Sequence, residues 1–139
     1  MTASFPMNAW YAAAWDVDIT LAATTTWYLG VFEGNYTPVA TVTAATITAA
    51  STECVAYAET TRQAFTTIAS AAQVTTNAAA RATFTFNATK TIYGAFLSSA
   101  SAKSATTGKL FSAAQFAASK AVVNGDQLLL TYTFTSSSI

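Results

Sequence analysis

The sequence predicts an all-β protein, an antiparallel sandwich or barrel of about eight short strands. Apolar segments recur roughly every 8–12 residues, and several alternate apolar and polar positions with period two. Breaks containing Gly, Asn or Asp separate them. A chain of 139 residues is long enough for one core. We therefore predict a β-sandwich domain at residues 26–139, preceded at residues 1–25 by an N-terminal arm or short helix.

The clearest strand signal is the last one, at residues 125–135. Leu128, Leu130, Tyr132 and Phe134 fall on one face, and Leu129 and three threonines fall on the other. This alternation predicts a half-buried antiparallel strand, because successive side chains of a strand point to opposite faces. The Asn-Gly-Asp sequence at residues 124–126 predicts the turn before it.

Residues 26–32 and 91–97 are apolar on both faces and predict central strands. Gly94, in the middle of the second, indicates a bulge or a close packing contact. Residues 81–86 alternate, with Ala82, Phe84 and Phe86 on one face, and residues 87–90 form a hairpin-length break.

Other stretches are less regular. Residues 39–52 mix Ala with β-branched Thr, Val and Ile, which favours a strand or an exposed loop. Residues 53–57 and 61–65 predict a strand pair or one bent strand. Residues 98–108 predict a loop, and residues 117–124 a link into the last strand.

The N-terminal stretch contains Trp10, Tyr11 and Trp15 in an Ala-rich run. Residues 8–15 fit a short helix capped by Asn8 or an extended arm. The aromatic side chains are either ordinary core or an anchor on a neighbouring subunit, since Trp and Tyr are enriched at interface hot spots. Trp10, Tyr11 and Trp15 are therefore the candidate partner-interface residues.

The composition argues against several function classes. Only 9% of residues are charged, the net charge is zero and there is no His, whereas about 25% of residues are charged in an average soluble protein. We expect no nucleic-acid partner, because no basic surface is available. A chain so poor in charge is prone to associate, so we expect it to function in an assembly, with much of its surface against a partner.

The sequence offers no catalytic, cofactor-binding or metal-binding residues that we can identify, and we predict that the protein is not an enzyme. No sequence feature pairs its six carboxylates, and several of them lie at turns, where Asp and Glu are normally solvated. We expect Cys54 to be a buried thiol, and Arg62 and Arg81 each to bond a carbonyl or carboxylate at a strand end. No basic n-region precedes the first apolar residues, and no apolar run is long enough to span a bilayer, so we predict neither a signal peptide nor a membrane association.

The order of the strand motifs resembles small virion proteins of tailed bacteriophages, most closely the cement or capsid decoration proteins of short-tailed phages. The likeness covers about residues 26–135. Its motifs are Tyr28-Leu29-Gly30-Val31-Phe32, Asn35-Tyr36-Thr37-Pro38, Tyr57, Thr61-Arg62-Gln63-Ala64-Phe65, Asn77 with Ala80, Ile92-Tyr93-Gly94-Ala95-Phe96-Leu97 and Gly125-Asp126-Gln127-Leu128.

The resemblance implies a jelly-roll-like β-sandwich on the outer capsid surface, a homo-oligomer (dimer or trimer) that bridges subunits of the major capsid protein. It places the protein in the virion, and in the host cytoplasm during assembly. Two other hypotheses stay open. One is a tail or fibre component of the same virion, which a β-rich, Thr/Ala-rich chain would also suit. The other is a carbohydrate-binding module that uses Trp10, Trp15 or Trp27 as a stacking platform.

Overall fold

A computed structural model describes residues 26–66 and 74–135. All strand pairings among these residues are antiparallel, so the predicted antiparallel all-β class is confirmed. Trp10, Tyr11 and Trp15 lie outside the described residues. The elements in chain order are β1 Tyr28–Phe32, α1 Ala44–Ala50, β2 Glu53–Cys54, β3 Gln63–Ala64, β4 Val74–Thr76, β5 Ala82–Thr85, β6 Lys90–Ser98, β7 Leu110–Val122, β8 Gln127–Leu130 and β9 Thr133–Thr135.

The strands form two layers. In the larger sheet, β2 and β3 pair with one edge of β1, β6 pairs with its other edge, and β7 pairs with β6. The second layer consists of the pairs β5–β8 and β4–β9, which are joined because β9 follows β8 after two residues. The main core joins the two layers and contains Leu29, Val31, Cys54, Tyr57, Ala82, Phe84, Phe86, Ile92, Ala95, Leu97, Val122, Leu130 and Tyr132.

The opposite face of the larger sheet carries a second, smaller core. Phe32 and Phe96 project from β1 and β6 onto this face and pack against Ile47 of α1. β1 and β6 are therefore buried on both faces, which confirms the prediction of central strands at residues 26–32 and 91–97. Helix α1 covers the second core.

Two glycines in the centre of the sheet each lie beneath a phenylalanine ring of the neighbouring strand. The register pairs Gly30 with Phe96 and Phe32 with Gly94. A Cβ built on Gly30 would lie 2.4 Å from Cζ of Phe96, and one on Gly94 would lie 2.2 Å from Cζ of Phe32. Since neither position has room for a side chain, the two pairs fix the register of β1 on β6. The pairing of β6 with β7 is also irregular between Ile92 and Gly94. Both the bulge and the close packing contact predicted at Gly94 are therefore confirmed.

The predicted last strand is interrupted, although its alternation is confirmed as far as Tyr132. Leu130 and Tyr132 are buried and Leu129 is exposed, but β8 ends at Leu130 and β9 begins at Thr133. Asn77 fills the interruption: its amide donates to the Leu130 carbonyl (3.0 Å) and accepts from the Tyr132 N–H (2.7 Å). The buried Asn77 side chain thereby replaces the ladder hydrogen bonds that a strand would supply. Gly125 has φ +92, as the turn at residues 124–126 requires.

The prediction of strand or loop for residues 39–52 is wrong, because this stretch contains α1. The Thr43 N–H donates to Thr46 Oγ1 (3.0 Å) at its start, and Ser51 Oγ donates to the Ile47 carbonyl (2.7 Å) at its end. Seven residues are too few for a helix to be stable alone. The helix forms because Ala44 and Ile47, three positions apart, share one face and are buried against the sheet.

The prediction that residues 117–124 form a link is also wrong. Residues 117–122 belong to β7, which runs for 13 residues, and only residues 123–124 lead into the turn. Ile92 pairs with Lys120 and Gly94 pairs with Gln115, so Phe116 and the three residues after it bulge opposite Tyr93. All but Phe116 in this bulge are exposed, which explains why the sequence shows no apolar alternation there.

Residues 53–57 and 61–65 do not pair with each other, and they do not form one bent strand. β2 and β3 lie end to end along the same edge of β1, with Cys54 opposite Val31 and Gln63 opposite Leu29. Between them, Tyr57 bridges to Phe86. This segment therefore connects the two layers at one corner of the sandwich.

Because the two buried glycines differ in what surrounds them, alanine substitutions at these positions should differ in cost. A Cβ at Gly94 would meet Phe32 and also the Ala114 carbonyl oxygen at 2.4 Å, and backbone cannot move aside as a ring can. We expect Gly94→Ala to lower the free energy of unfolding by about 3 kcal/mol and Gly30→Ala by about 1 kcal/mol. Urea denaturation of both variants measures this, and equal costs would contradict it.

Candidate functional site

The most elaborate polar arrangement in the described residues surrounds Arg62, which directly precedes β3. Its guanidinium donates two hydrogen bonds of 2.8 Å to the two carboxylate oxygens of Glu53 on β2. Arg62 is 1% exposed and Glu53 is 8% exposed. The guanidinium carbon lies 4.9 Å from the centre of the Phe96 ring. The pair is a bidentate ion pair inside the protein, next to the second core.

The same guanidinium also fixes the loop between β6 and β7. Its two terminal nitrogens donate to the carbonyl oxygens of Ala100 (3.0 Å) and Ala105 (3.2 Å). Glu53 in turn accepts from the backbone N–H of Ser104 (3.0 Å). One ion pair thus holds β2, the start of β3 and both arms of this loop together. The prediction that Arg62 bonds a carboxylate or carbonyl at a strand end is confirmed.

Lys103, in the same loop between β6 and β7, bonds the segment that follows β2. Its ammonium donates to the carbonyls of Tyr57 (2.7 Å) and Val55 (3.2 Å) and lies 3.7 Å from the centre of the Tyr57 ring. Burial lowers the pKa of Lys103. The Tyr57 hydroxyl is buried and has no hydrogen-bond partner among the described residues. Burial also raises the pKa of Tyr57, because desolvation disfavours the phenolate.

Each carboxylate in the described part of the chain has a structural partner. Glu33 forms a 2.7 Å ion pair with Lys90, Glu59 accepts from the Thr85 N–H at 3.1 Å, and Asp126 accepts from the Val123 N–H at 2.9 Å. Glu53 is buried, and its ion pair with Arg62 compensates that burial. Asp16 and Asp18 lie outside the described residues. Cys54 is a buried free thiol, as predicted, and burial raises its pKa.

The surface differs from this interior in being poor in ions and rich in small side chains. Within residues 26–66 and 74–135, β7 is the last strand at one end of the larger sheet, and its sequence from Leu110 to Ser119 carries no charge. The exposed large apolar side chains of the described residues are scattered: Val39, Val55, Phe111, Val123 and Leu129. Single apolar residues of this kind are ordinary on a protein surface.

Trp27 is the one tryptophan of the predicted stacking platform that falls in the described region. It is partly buried against the main core, and its ring packs edge-on against Phe111 with centroids 5.1 Å apart. Arg81 is exposed. Sequence reasoning did not find the partners of Arg62 or the role of Asn77, since both depend on contacts between residues far apart in the chain.

No group of His, Cys, Asp and Glu side chains suited to hold a metal ion occurs among the described residues. Nor does any helix in residues 26–66 and 74–135 combine the length and apolar character needed to cross a bilayer. The ion pairs and charge-assisted hydrogen bonds described above hold loops and strands in place.

Comparisons with known proteins identified no matching family, no similar curated protein and no similar solved structure.

Removing one carboxylate charge should have very different effects at the two ion pairs. Glu53→Gln leaves Arg62 charged and buried without its counterion, so we expect a loss of about 3–5 kcal/mol in the free energy of unfolding. Glu33→Gln makes the same chemical change at the partly exposed pair with Lys90 and should cost about 1 kcal/mol or less. Urea denaturation at neutral pH compares the two, and similar losses would show that Arg62 does not depend on Glu53.

Two buried tyrosines provide a second matched comparison. The Tyr57 hydroxyl has no partner in the described residues, whereas the Tyr132 hydroxyl is 2.7 Å from Ser112 Oγ. At neutral pH we expect Tyr57→Phe to raise the free energy of unfolding by about 1 kcal/mol and Tyr132→Phe to lower it by about 1 kcal/mol.

The comparison also has a predicted pH dependence. Burial raises the pKa of Tyr57 above that of an unfolded tyrosine, so the unfolded chain loses this proton first as the pH rises past about 10. The free energy of unfolding is therefore unaffected by this group below that pH, and it falls progressively as the pH rises from there towards the higher pKa of the folded protein. The free energy of unfolding of the wild type should therefore fall above about pH 10. That of Tyr57→Phe should fall less. Identical alkaline losses in the two proteins would contradict this.

Proposed function

We propose that this protein is a structural component of a tailed-phage virion that binds the outer surface of the capsid and stabilises it by bridging subunits of the major capsid protein. The protein acts without turnover chemistry, as a clamp between neighbouring subunits. Its place is the capsid surface, and its fold is jelly-roll-like.

The observation that carries the proposal is how the charged groups are used. Arg62, Glu53 and Lys103 hold the interior and the loop above it, and Glu33, Glu59 and Asp126 tie neighbouring backbone or side chains. Arg81, Lys109 and Lys120 are exposed, and between them the described strand surface is rich in small uncharged side chains. Such a surface allows close approach to a large neighbour, and many copies on one shell multiply modest contacts.

The residues that carry the resemblance to cement proteins also support a structural role. Gly30, Phe32, Gly94 and Phe96 form the two Gly–Phe pairs, and Asn77 joins β8 to β9. Arg62, in another of these motifs, holds the loop between β6 and β7. The motifs therefore correspond to residues that stabilise the sandwich. Proteins that share a structural scaffold would be expected to share such residues.

Binding to empty shells tests the proposal directly. Purified protein mixed with expanded, undecorated capsids of a short-tailed phage should co-sediment at saturating, fixed stoichiometry, and decorated particles should release their DNA at a higher temperature. Protein that stays in the supernatant at every ratio would contradict the proposal. Cryo-microscopy of the virion separates head from tail, because a cement protein is present in hundreds of copies and a tail or fibre component in a handful.

A double substitution tests the candidate contact residues within the same assay. Trp10→Ala with Trp15→Ala should weaken capsid binding at least tenfold if these side chains anchor on a neighbour. The thermal melt of the free protein should then be unchanged, whereas core tryptophans would lower it. Val39→Ala, at an exposed apolar position, is the control. A binding curve unaffected by the double substitution would exclude the anchor role.

A further inference from the structure

The outer edge of β7 is an open end of the larger sheet. One edge of β7 pairs with β6, and no described residue pairs with the other between Ser112 and Gln115. The opposite end of the same sheet consists of β2 and β3, which have two residues each. In the second layer, the outer edge of β5 is partly satisfied, because Ala58 and Glu59 bond the backbone of Thr85.

Residues 112–115 of β7 lack two of the usual protections of a strand edge. Proteins block open edges with charged side chains, proline, bulges or a covering loop. The register irregularities of β7 lie on either side of this stretch, at Phe111 and at residues 116–119. Residues 112–115 read Ser-Ala-Ala-Gln, and the nearest charges are Lys109 and Lys120. The side chains at both ends of this stretch are held by internal hydrogen bonds: Ser112 bonds Tyr132 (2.7 Å), and Gln115 bonds Asn35 (2.7 Å) and Thr37 (3.0 Å). They are therefore turned onto the faces of the sheet and leave the backbone edge accessible.

This edge is complementary to itself. In antiparallel pairing about a two-fold axis, a register centred on Ala113 places Ala113 opposite its own copy and Ala114 opposite Ser112. A register centred on Ala114 places Ala114 opposite its own copy and Ala113 opposite the uncharged Gln115. Lys109 and Lys120 lie outside residues 112–115, beyond the register irregularities at Phe111 and at residues 116–119, so neither charge falls within the paired stretch.

We infer that β7 pairs with β7 of a second copy, joining the two larger sheets into one continuous sheet across a two-fold dimer. The residues that form the contact are 112–115, and the bulge at Phe116 ends the ladder. Because the ladder is short, the dimer is weak and depends on concentration. The inference concerns the isolated protein and does not require that the capsid proposal be correct.

The oligomeric state of the 139-residue chain tests the inference without any capsid. Sedimentation equilibrium over a wide concentration range should show a monomer–dimer equilibrium. Ala114→Lys places like charges on either side of the axis and should raise the dimer dissociation constant at least tenfold. Ala49→Lys adds the same charge at an exposed position on α1 and should leave the constant unchanged. Thermal melts verify that both variants fold.

Cysteine cross-linking tests the geometry independently of the charge. Residues on a two-fold axis between antiparallel strands lie close enough for a disulfide, so mild oxidation of Ala113→Cys or Ala114→Cys should yield a covalent dimer. Ala49→Cys is the exposed control, and native Cys54 is buried. A wild-type monomer at all concentrations, a dimer indifferent to Ala114→Lys, or cross-linking no faster than in Ala49→Cys would each overturn the inference.

Discussion

The buried ion pair between Arg62 and Glu53 is the interaction on which much of this fold depends. It joins β2 to the start of β3, and it holds the loop between β6 and β7 through the carbonyls of Ala100 and Ala105. Two-residue strands such as β2 and β3 have too few ladder bonds to hold an edge by themselves. The desolvation of both charges is offset only because every strong donor of the guanidinium finds an acceptor.

The elements that the sequence predicted correctly are those whose pattern is local. Alternation at Phe84 and Phe86, apolar character on both faces of β1 and β6, and the turn at Gly125 each depend on neighbours a few residues away. Helix α1 was missed because its threonines favour strand and its stability comes from burying Ile47 against Phe32 and Phe96. The second half of β7 was missed because its exposed alanines and serine leave no apolar period to detect.

The ionic interior could be foreseen only in part. The sequence indicated that Arg62 bonds an acceptor, but not that the acceptor is Glu53 or that Lys103 lies over the Tyr57 ring. These contacts form because residues 53–65 connect the two layers at one corner of the sandwich. The composition was informative in another way: with few charges in the chain, and most of the described ones engaged internally, little is left to keep copies apart. The proposed capsid contact and the β7–β7 pairing both follow from that surface.

The pairing of β1 with β6 has a consequence for how the chain reaches its native state. Val31 lies opposite Ala95, so the two central strands come together only after a long intervening segment has been closed into a loop. Folds dominated by such distant pairings have high contact order and fold slowly. During synthesis, β1 leaves the ribosome without its partner and waits, apolar on both faces, until β6 has been translated.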